Sequence, residues 1–212
     1  MRAHTKETQA TMTPHKALLF LKEGNLRFQQ NLKAHRNLLE QVNDTKEGQF
    51  PFATILSCID SRVSAELVFD QGLGDIFSVR IAGNFVNEDI LGSMEFACKL
   101  AGTKLLVVLG HTSCGAVKGA CDNAKMGNLT KLIQKIIPAV DAVQEPKDEA
   151  LRSSKNLDFV DEVSKKNVEL TIKRIRQESP ILAEMEETGA ILIVGAMYNI
   201  TDGKVTFLDA NL

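Results

Sequence analysis

The chain has no tryptophan, a single tyrosine and only four cysteines in 212 residues. The cysteines are Cys58, Cys98, Cys114 and Cys121. They are too few to staple a chain that is long enough to bury a core of its own, so a disulfide scaffold is excluded. Charge of one sign is also scarce: the net charge is −2, which offers nucleic acid no basic face. No run of about 18 apolar residues is present, so no membrane-spanning helix is expected. The first residues are polar and lack the apolar stretch of a secretory signal, and residues 1–12 read as a disordered lead-in. Without such a signal the expected location is the cytoplasm, where thiols stay free, catalytic or metal-bound. There is no internal repeat and no linker rich in proline, glycine and serine. One domain is therefore expected over residues 13–212, with a helical arm at 13–48 and a core at 49–212.

Within that domain, apolar runs alternate with amphipathic stretches. Thr13-Pro14 reads as a helix start, with the hydroxyl as cap and proline in the first turn. Residues 33–49 are polar and read as a loop or frayed helix. Short apolar runs at 52–56, 76–81, 105–109 and 190–197 read as buried strands. Between them, Ser64, Asn87, Gly115, Asn128, Asn156 and Ser179 open helical stretches, with a kink at Pro138 and an end at Gly102. Asp202-Gly203 reads as a hairpin turn into a last strand at 205–208. Strands alternating with helices predict an α/β fold with a mostly parallel sheet, about four parallel strands plus an antiparallel edge, flanked by helices.

Ligands of such sheets sit beyond the carboxyl ends of the strands. Two motifs fall there: Cys58-Ile59-Asp60-Ser61-Arg62 after the first strand, and His111-Thr112-Ser113-Cys114 after the 105–109 strand. Two thiols and an imidazole are a zinc ligand set that keeps a fourth position open for water, and a zinc-bound water is a nucleophile near neutral pH. Cys98 and Cys121 lie within helical stretches and read as small buried apolar residues. His4, His15 and His35 lie in polar segments and read as solvated. Asp60 stands two residues from Cys58, placed to orient a nucleophile, and Arg62 can hold its carboxylate off the metal through a bidentate ion pair.

These motifs, with Phe69-Asp70-Gln71-Gly72-Leu73-Gly74-Asp75-Ile76-Phe77, Ala82-Gly83-Asn84 and Gly115-Ala116-Val117, closely resemble the β-class carbonic anhydrases over residues 49–117. The resemblance runs on more loosely to Tyr198-Asn199-Ile200 and Gly203-Lys204-Val205. It implies one Zn2+ per chain held by Cys58, His111 and Cys114, with Asp60 joining the metal only in a closed form. It also implies a catalytic dyad of Asp60 and Arg62, reversible hydration of CO2 to bicarbonate, and a homodimer that can pair into a tetramer. Gln49, Phe77, Phe96 and Gly115 fall at its substrate-binding positions, Phe96 replacing a tyrosine of plant-type members. Some bacterial members build a bicarbonate site on a tryptophan three residues before the first cysteine. Ile55 stands there in this chain, so even with Arg80 and Tyr198 present that triad is broken, and the plant-like open form is expected.

Three rival readings remain open at this level. A hydrolase of carbonyl sulfide or carbon disulfide would use the same site. A structural zinc module would fill all four metal positions with Cys or His. A redox pair of Cys58 and Cys114 would lack the usual C-x-x-C spacing.

Overall fold

The computed structural model describes residues 2–208. Five strands, β1 (Ala53–Ser57), β2 (Ile76–Arg80), β3 (Leu105–His111), β4 (Leu192–Tyr198) and β5 (Val205–Phe207), form one sheet. Its order is β2-β1-β3-β4-β5; the first four are parallel and β5 runs antiparallel to β4. β3 lies at the centre and is buried along its whole length, as expected of a strand covered on both faces. Its side chains alternate between two cores. Leu105, Val107 and Leu109 join Ile55, Phe52 and Phe69 on one face; Leu106 and Val108 join Leu56, Val168 and Ile172 on the other.

The first face is covered by α2 (Pro14–Gln29) and α4 (Ala65–Val68). The Thr13 side chain accepts from the Lys16 N–H and Pro14 opens α2, so that helix begins where its chemistry dictates. The second face is covered by α5 (Glu88–Glu95), α9 (Leu157–Glu178) and α10 (Pro180–Glu187). Asn156 caps α9 and Ser179 caps α10, each through a side-chain oxygen. A third core, under the carboxyl ends of β1 and β3, packs α6 (Gly115–Cys121), α7 (Gly127–Ile133) and α8 (Ile137–Ala142) against the first turns of α9. On the second face Gly110 lets α9 lie close on β3: a Cβ there would stand 2.6 Å from Val168 Cγ2 and 2.7 Å from Met197 Sδ.

Several local expectations are corrected. The lead-in is not structureless: α1 (Lys6–Ala10) carries a reciprocal Thr5–Thr8 capping box. Gln9 donates from α1 to the carbonyls of Pro51 (2.7 Å) and Ala101 (2.9 Å), tying it to the core. His4 is not solvated but half-buried, edge-on to Phe52 at 5.1 Å. The polar stretch after α2 contains α3 (Leu38–Thr45), anchored by the buried Gln41, whose Oε1 accepts from the Leu73 N–H at 3.2 Å. Ser64 does not cap α4; its hydroxyl donates to Glu66 instead. The helix expected through Pro138 is two helices, because proline is tolerated in the first turn of α8 but not mid-helix. α5 does not run plainly to Gly102: it continues into a π-helical turn (Phe96–Leu100), closed by the Ala101 N–H on the Phe96 carbonyl. β4 and β5 are joined not by a two-residue turn but through 199–204, where the Gly203 N–H bonds the Asn199 carbonyl. Among the described residues no helix is long and apolar enough to cross a membrane.

Candidate metal centre

Cys58 directly follows β1, and His111 is the last residue of β3 rather than the first beyond it. Parallel pairing of the two strands in register, Ser57 beside Leu109, puts both at the same sheet edge. Cys114 arrives through the turn 112–113, in which Ser113 takes a left-handed φ of 55°. That turn folds the chain back so that the sulfur meets the imidazole. The donor atoms of Cys58, His111 and Cys114 all lie within 4.8 Å of one another, and all three residues are buried.

The cluster fits a tetrahedral ion. The two sulfurs are 3.9 Å apart, against about 3.8 Å for two thiolates each 2.3 Å from a tetrahedral zinc. That separation also leaves them as free thiols, far beyond a disulfide bond of about 2.0 Å. The imidazole is oriented: Nδ1 lies 2.9 Å from the Thr112 carbonyl, which can only accept, so Nδ1 carries the proton. Nε2 is left as a buried lone pair with no hydrogen-bond partner among the described residues. A buried acceptor without a donor is costly unless something else satisfies it, and a metal does so. Among the described residues no fourth His, Cys, Asp or Glu joins the group, so a four-coordinate ion keeps one position for an outside ligand.

The two sulfurs are within hydrogen-bond distance of each other. The hydrogen bond from Cys114 pulls the Cys58 thiol down, and the same bond, with burial, pushes the Cys114 thiol up. Cys58 and Cys114 would hold a divalent cation as thiolates, with the loss of their protons. The Gly83 N–H also points at Cys58 Sγ, at 3.4 Å.

Beside the cluster, Arg62 grips Asp60 in a bidentate pair, Nε to Oδ1 at 2.9 Å and Nη2 to Oδ2 at 2.8 Å. The Arg62 backbone N–H adds a third bond to Oδ1 at 3.0 Å. The bonds from Arg62 hold the Asp60 carboxyl far below the usual carboxylate range, so it is ionised throughout the neutral range. Arg80, at the end of β2, donates to the carbonyls of Cys58 (3.0 Å) and Asp60 (2.7 Å) and so fixes the C-x-D loop from the other side. The sequence leaves that role of Arg80 unread, because its partners are backbone atoms 20 and 22 residues away.

Gly115 opens α6 immediately after Cys114, with open space where a Cβ would stand. The other substrate-side candidates lie elsewhere. Phe77 pairs in register with Thr54, four residues before Cys58, which is about 13 Å back along the strand. Its ring is 6.3 Å from that of Phe96, on the outer edge of the sheet, where Phe96 is largely exposed. Gln49 is exposed in the segment leading to β1. Cys98 is buried on the π-helical turn and accepts from the Thr103 hydroxyl at 3.4 Å, while Cys121 is half-buried in the third core; neither joins the cluster.

A mostly parallel α/β sheet that gathers two cysteines and a histidine at its carboxyl edge, beside an Asp–Arg pair, defines a class of α/β enzyme whose Cys2His group could hold a metal with one position open. The family model described as carbonic anhydrase matches residues 53–205. The chain is 36% identical over 195 residues to carbonic anhydrase 2 of Mycobacterium tuberculosis, covering 89% of this chain and 90% of that one. It is 36% identical over 191 residues to a carbonic anhydrase of Mycolicibacterium smegmatis, covering 87% and 88%. Among solved structures it resembles the β-carbonic anhydrase CafA of Aspergillus fumigatus, with a TM-score of 0.70, 27% identity and coverage of 93% and 91%. The chain belongs to the β-carbonic anhydrases, a family of lyases.

Proposed function

We propose that this protein binds one Zn2+ per chain through Cys58, His111 and Cys114 and catalyses the reversible hydration of CO2 to bicarbonate and a proton. The observation that carries the reading is the convergence of three buried donors around an unpartnered His111 Nε2, next to a carboxylate clamped by Arg62. Zinc, when bound, would lower the pKa of a water so that it gives up a proton to solvent buffer near neutral pH and becomes a nucleophile.

The chain's own residues do the rest. Asp60 stays ionised and accepts a hydrogen bond from the attacking oxygen, which aligns its lone pair with the CO2 carbon. Arg62 occupies both carboxylate oxygens and restrains Asp60 from swinging onto the metal, which corresponds to the open form. Gly115, lacking a side chain beside Cys114, leaves room for substrate.

Phe77 and Phe96 sit on the outer strand edge, away from their own chain's centre, so they serve as a substrate wall only for another chain. This supports a homodimer built on the β2 edge, with Gln49 as its substrate-side donor and pairing into tetramers as a further step. The reduced thiols of the centre suit the cytoplasm. Residues 13–212 act as the single catalytic unit.

Zinc stoichiometry combined with stopped-flow CO2 hydration across pH tests the proposal. One zinc per chain, activity lost on chelation and restored by zinc, is the expected result. Metal-free protein that hydrates CO2 at the same rate, or zinc-loaded protein that does not, overturns it.

A further inference from the structure

Both halves of the metal centre are tied to one helix. The N–H of Ser113, between His111 and Cys114, donates to Asp161 Oδ1 on α9 at 2.7 Å. The carbonyl of Gly83 accepts from Asn167 Nδ2, also on α9, at 2.8 Å, and the N–H of the same Gly83 is the group aimed at Cys58 Sγ. Asn167 is buried, and the bond it makes crosses 84 residues of sequence.

We propose that Asp161 and Asn167 are positioning residues for the metal ligands, Asp161 holding the His111–Cys114 turn through the Ser113 N–H and Asn167 holding the Gly83 N–H on the Cys58 sulfur. The need for the first tether follows from the backbone. Ser113 sits at a φ of 55°, where a non-glycine residue is strained, yet this conformation brings Cys114 back toward His111. The neighbouring Thr112 is fixed from the β4 side, its N–H donating to the Tyr198 carbonyl at 3.0 Å and its Oγ1 accepting from the Ile200 N–H at 3.1 Å. The Asp161 bond closes the turn from the α9 side, and a carboxylate acceptor makes a strong bond with the peptide N–H.

The second tether acts on ligand electronics. The N–H and the carbonyl of Gly83 belong to successive peptide groups joined at its Cα; a φ of 78° and a Cβ position only 2.4 Å from Ile136 Cδ1 admit glycine alone, so Asn167, by anchoring the carbonyl, limits the rotation at this flexible residue that sets where the N–H points. Outer-sphere hydrogen bonds of this kind usually change metal affinity by about 10–100-fold. A single rigid helix serving both loops keeps the donors in register with each other, since α9 packs along β3 and β4.

This inference rests on the metal-centre reading, and the test separates the two. Wild type, Asp161→Ala, Asp161→Asn, Asn167→Ala, Ser113→Gly and the double variant Asp161→Ala/Ser113→Gly are titrated with zinc against a chelator, and their cobalt forms are examined by visible absorption. Asp161→Ala weakens zinc binding about 10–100-fold and changes the cobalt spectrum. Asp161→Asn, which keeps an acceptor, stays within about threefold of wild type. Asn167→Ala weakens binding about tenfold and shifts the sulfur-to-cobalt charge-transfer band. In the Ser113→Gly background, where glycine adopts the left-handed turn without help, removing Asp161 costs less than about threefold. That double variant also carries the test if Asp161→Ala alone fails to fold. Wild-type affinity and spectrum in Asp161→Ala, or no rescue by Ser113→Gly, overturns the positioning role of Asp161, and an unchanged charge-transfer band and affinity in Asn167→Ala overturns that of Asn167, either result leaving the metal centre intact; wild-type protein that takes up no metal overturns both.

Discussion

Arg62→Ala separates the chemistry of the Asp60–Arg62 pair from its architecture. The substitution removes two of the three hydrogen bonds that hold Asp60, leaving only the peptide N–H on Oδ1. Oδ2 then loses its donor and the carboxylate is free to rotate. The Arg62 side chain is about half exposed, so solvent screens the pair and it adds little to folding. For a chain of this size its loss lowers Tm by at most about 4 °C. The catalytic loss is much larger, because an acceptor that wanders no longer aligns the attacking oxygen. A fall of about 100-fold in kcat is expected, equal to about 2.7 kcal/mol of transition-state stabilisation. Zinc content stays at one per chain, since Arg62 touches none of the three donors. Asp60→Ala and the double variant lose about the same as each other, because the pair works as a unit and its losses do not add. Stopped-flow hydration with zinc analysis and calorimetry on the same preparations reads all three quantities. Turnover within threefold of wild type, losses that multiply in the double variant, or a Tm drop near 10 °C would refute the reasoning.

Two further predictions concern the scaffold. Gly110→Ala overpacks the contact of β3 with α9 and is expected to cost about 1–3 kcal/mol while displacing His111, so Tm and zinc content fall together; unchanged values of both would contradict the close approach of Val168 and Met197. Asp70 is buried and accepts from Arg27 (2.5 Å), Arg36 (2.6 Å) and the Ala34 N–H (3.1 Å), which ties the segment after α2 to the core. Burial pushes its carboxyl up, but the bonds from Arg27, Ala34 and Arg36 outweigh that and hold it below the usual range. A group with a lowered folded-state pKa stabilises fully above its unfolded value near 4 and loses that contribution as pH falls toward the folded value. Urea midpoints measured from pH 6 to pH 3 therefore drop more steeply in wild type than in Asp70→Ala, which starts about 3–5 kcal/mol less stable; parallel curves would exclude the linkage.

Local chemistry explains why the core of this site can be read from the chain alone. Cys58 and the His111–Cys114 pair each follow an apolar run, and parallel pairing brings the ends of such runs to one edge whatever lies between them. The helix starts at Thr13, Asn87, Asn156 and Ser179 are equally legible, because an N-cap bonds a backbone N–H within its own first turn. Ser64 shows the limit of that rule: its hydroxyl found Glu66 instead, and Glu66 Oε1 is in turn taken by Ser78, 12 residues on. α1 escapes notice for a related reason. Five residues are too short to show a periodicity, and what holds them is a pair of bonds from Gln9 to carbonyls 42 and 92 residues away.

The same distinction separates the proposed metal ligands from the groups proposed to aim them. Zinc ligands come from a few residue types, here two cysteines and a histidine, so residue type betrays them, and one turn sets the spacing of His111 to Cys114. Asp161 and Asn167 carry no such mark. On an amphipathic helix an aspartate two positions before Val163 and an asparagine beside Val168 read as ordinary variation along a seam. Their partners are peptide groups 48 and 84 residues distant, and a peptide group has no sequence identity to search for. Reading them requires the packed arrangement of α9 on β3, which Gly110 makes possible by yielding the volume of a side chain just before His111. The glycine is therefore the one sequence-level trace of the tether: where a strand delivers a ligand and the preceding residue has no Cβ, the helix that fills that space is close enough to hold the ligand's turn.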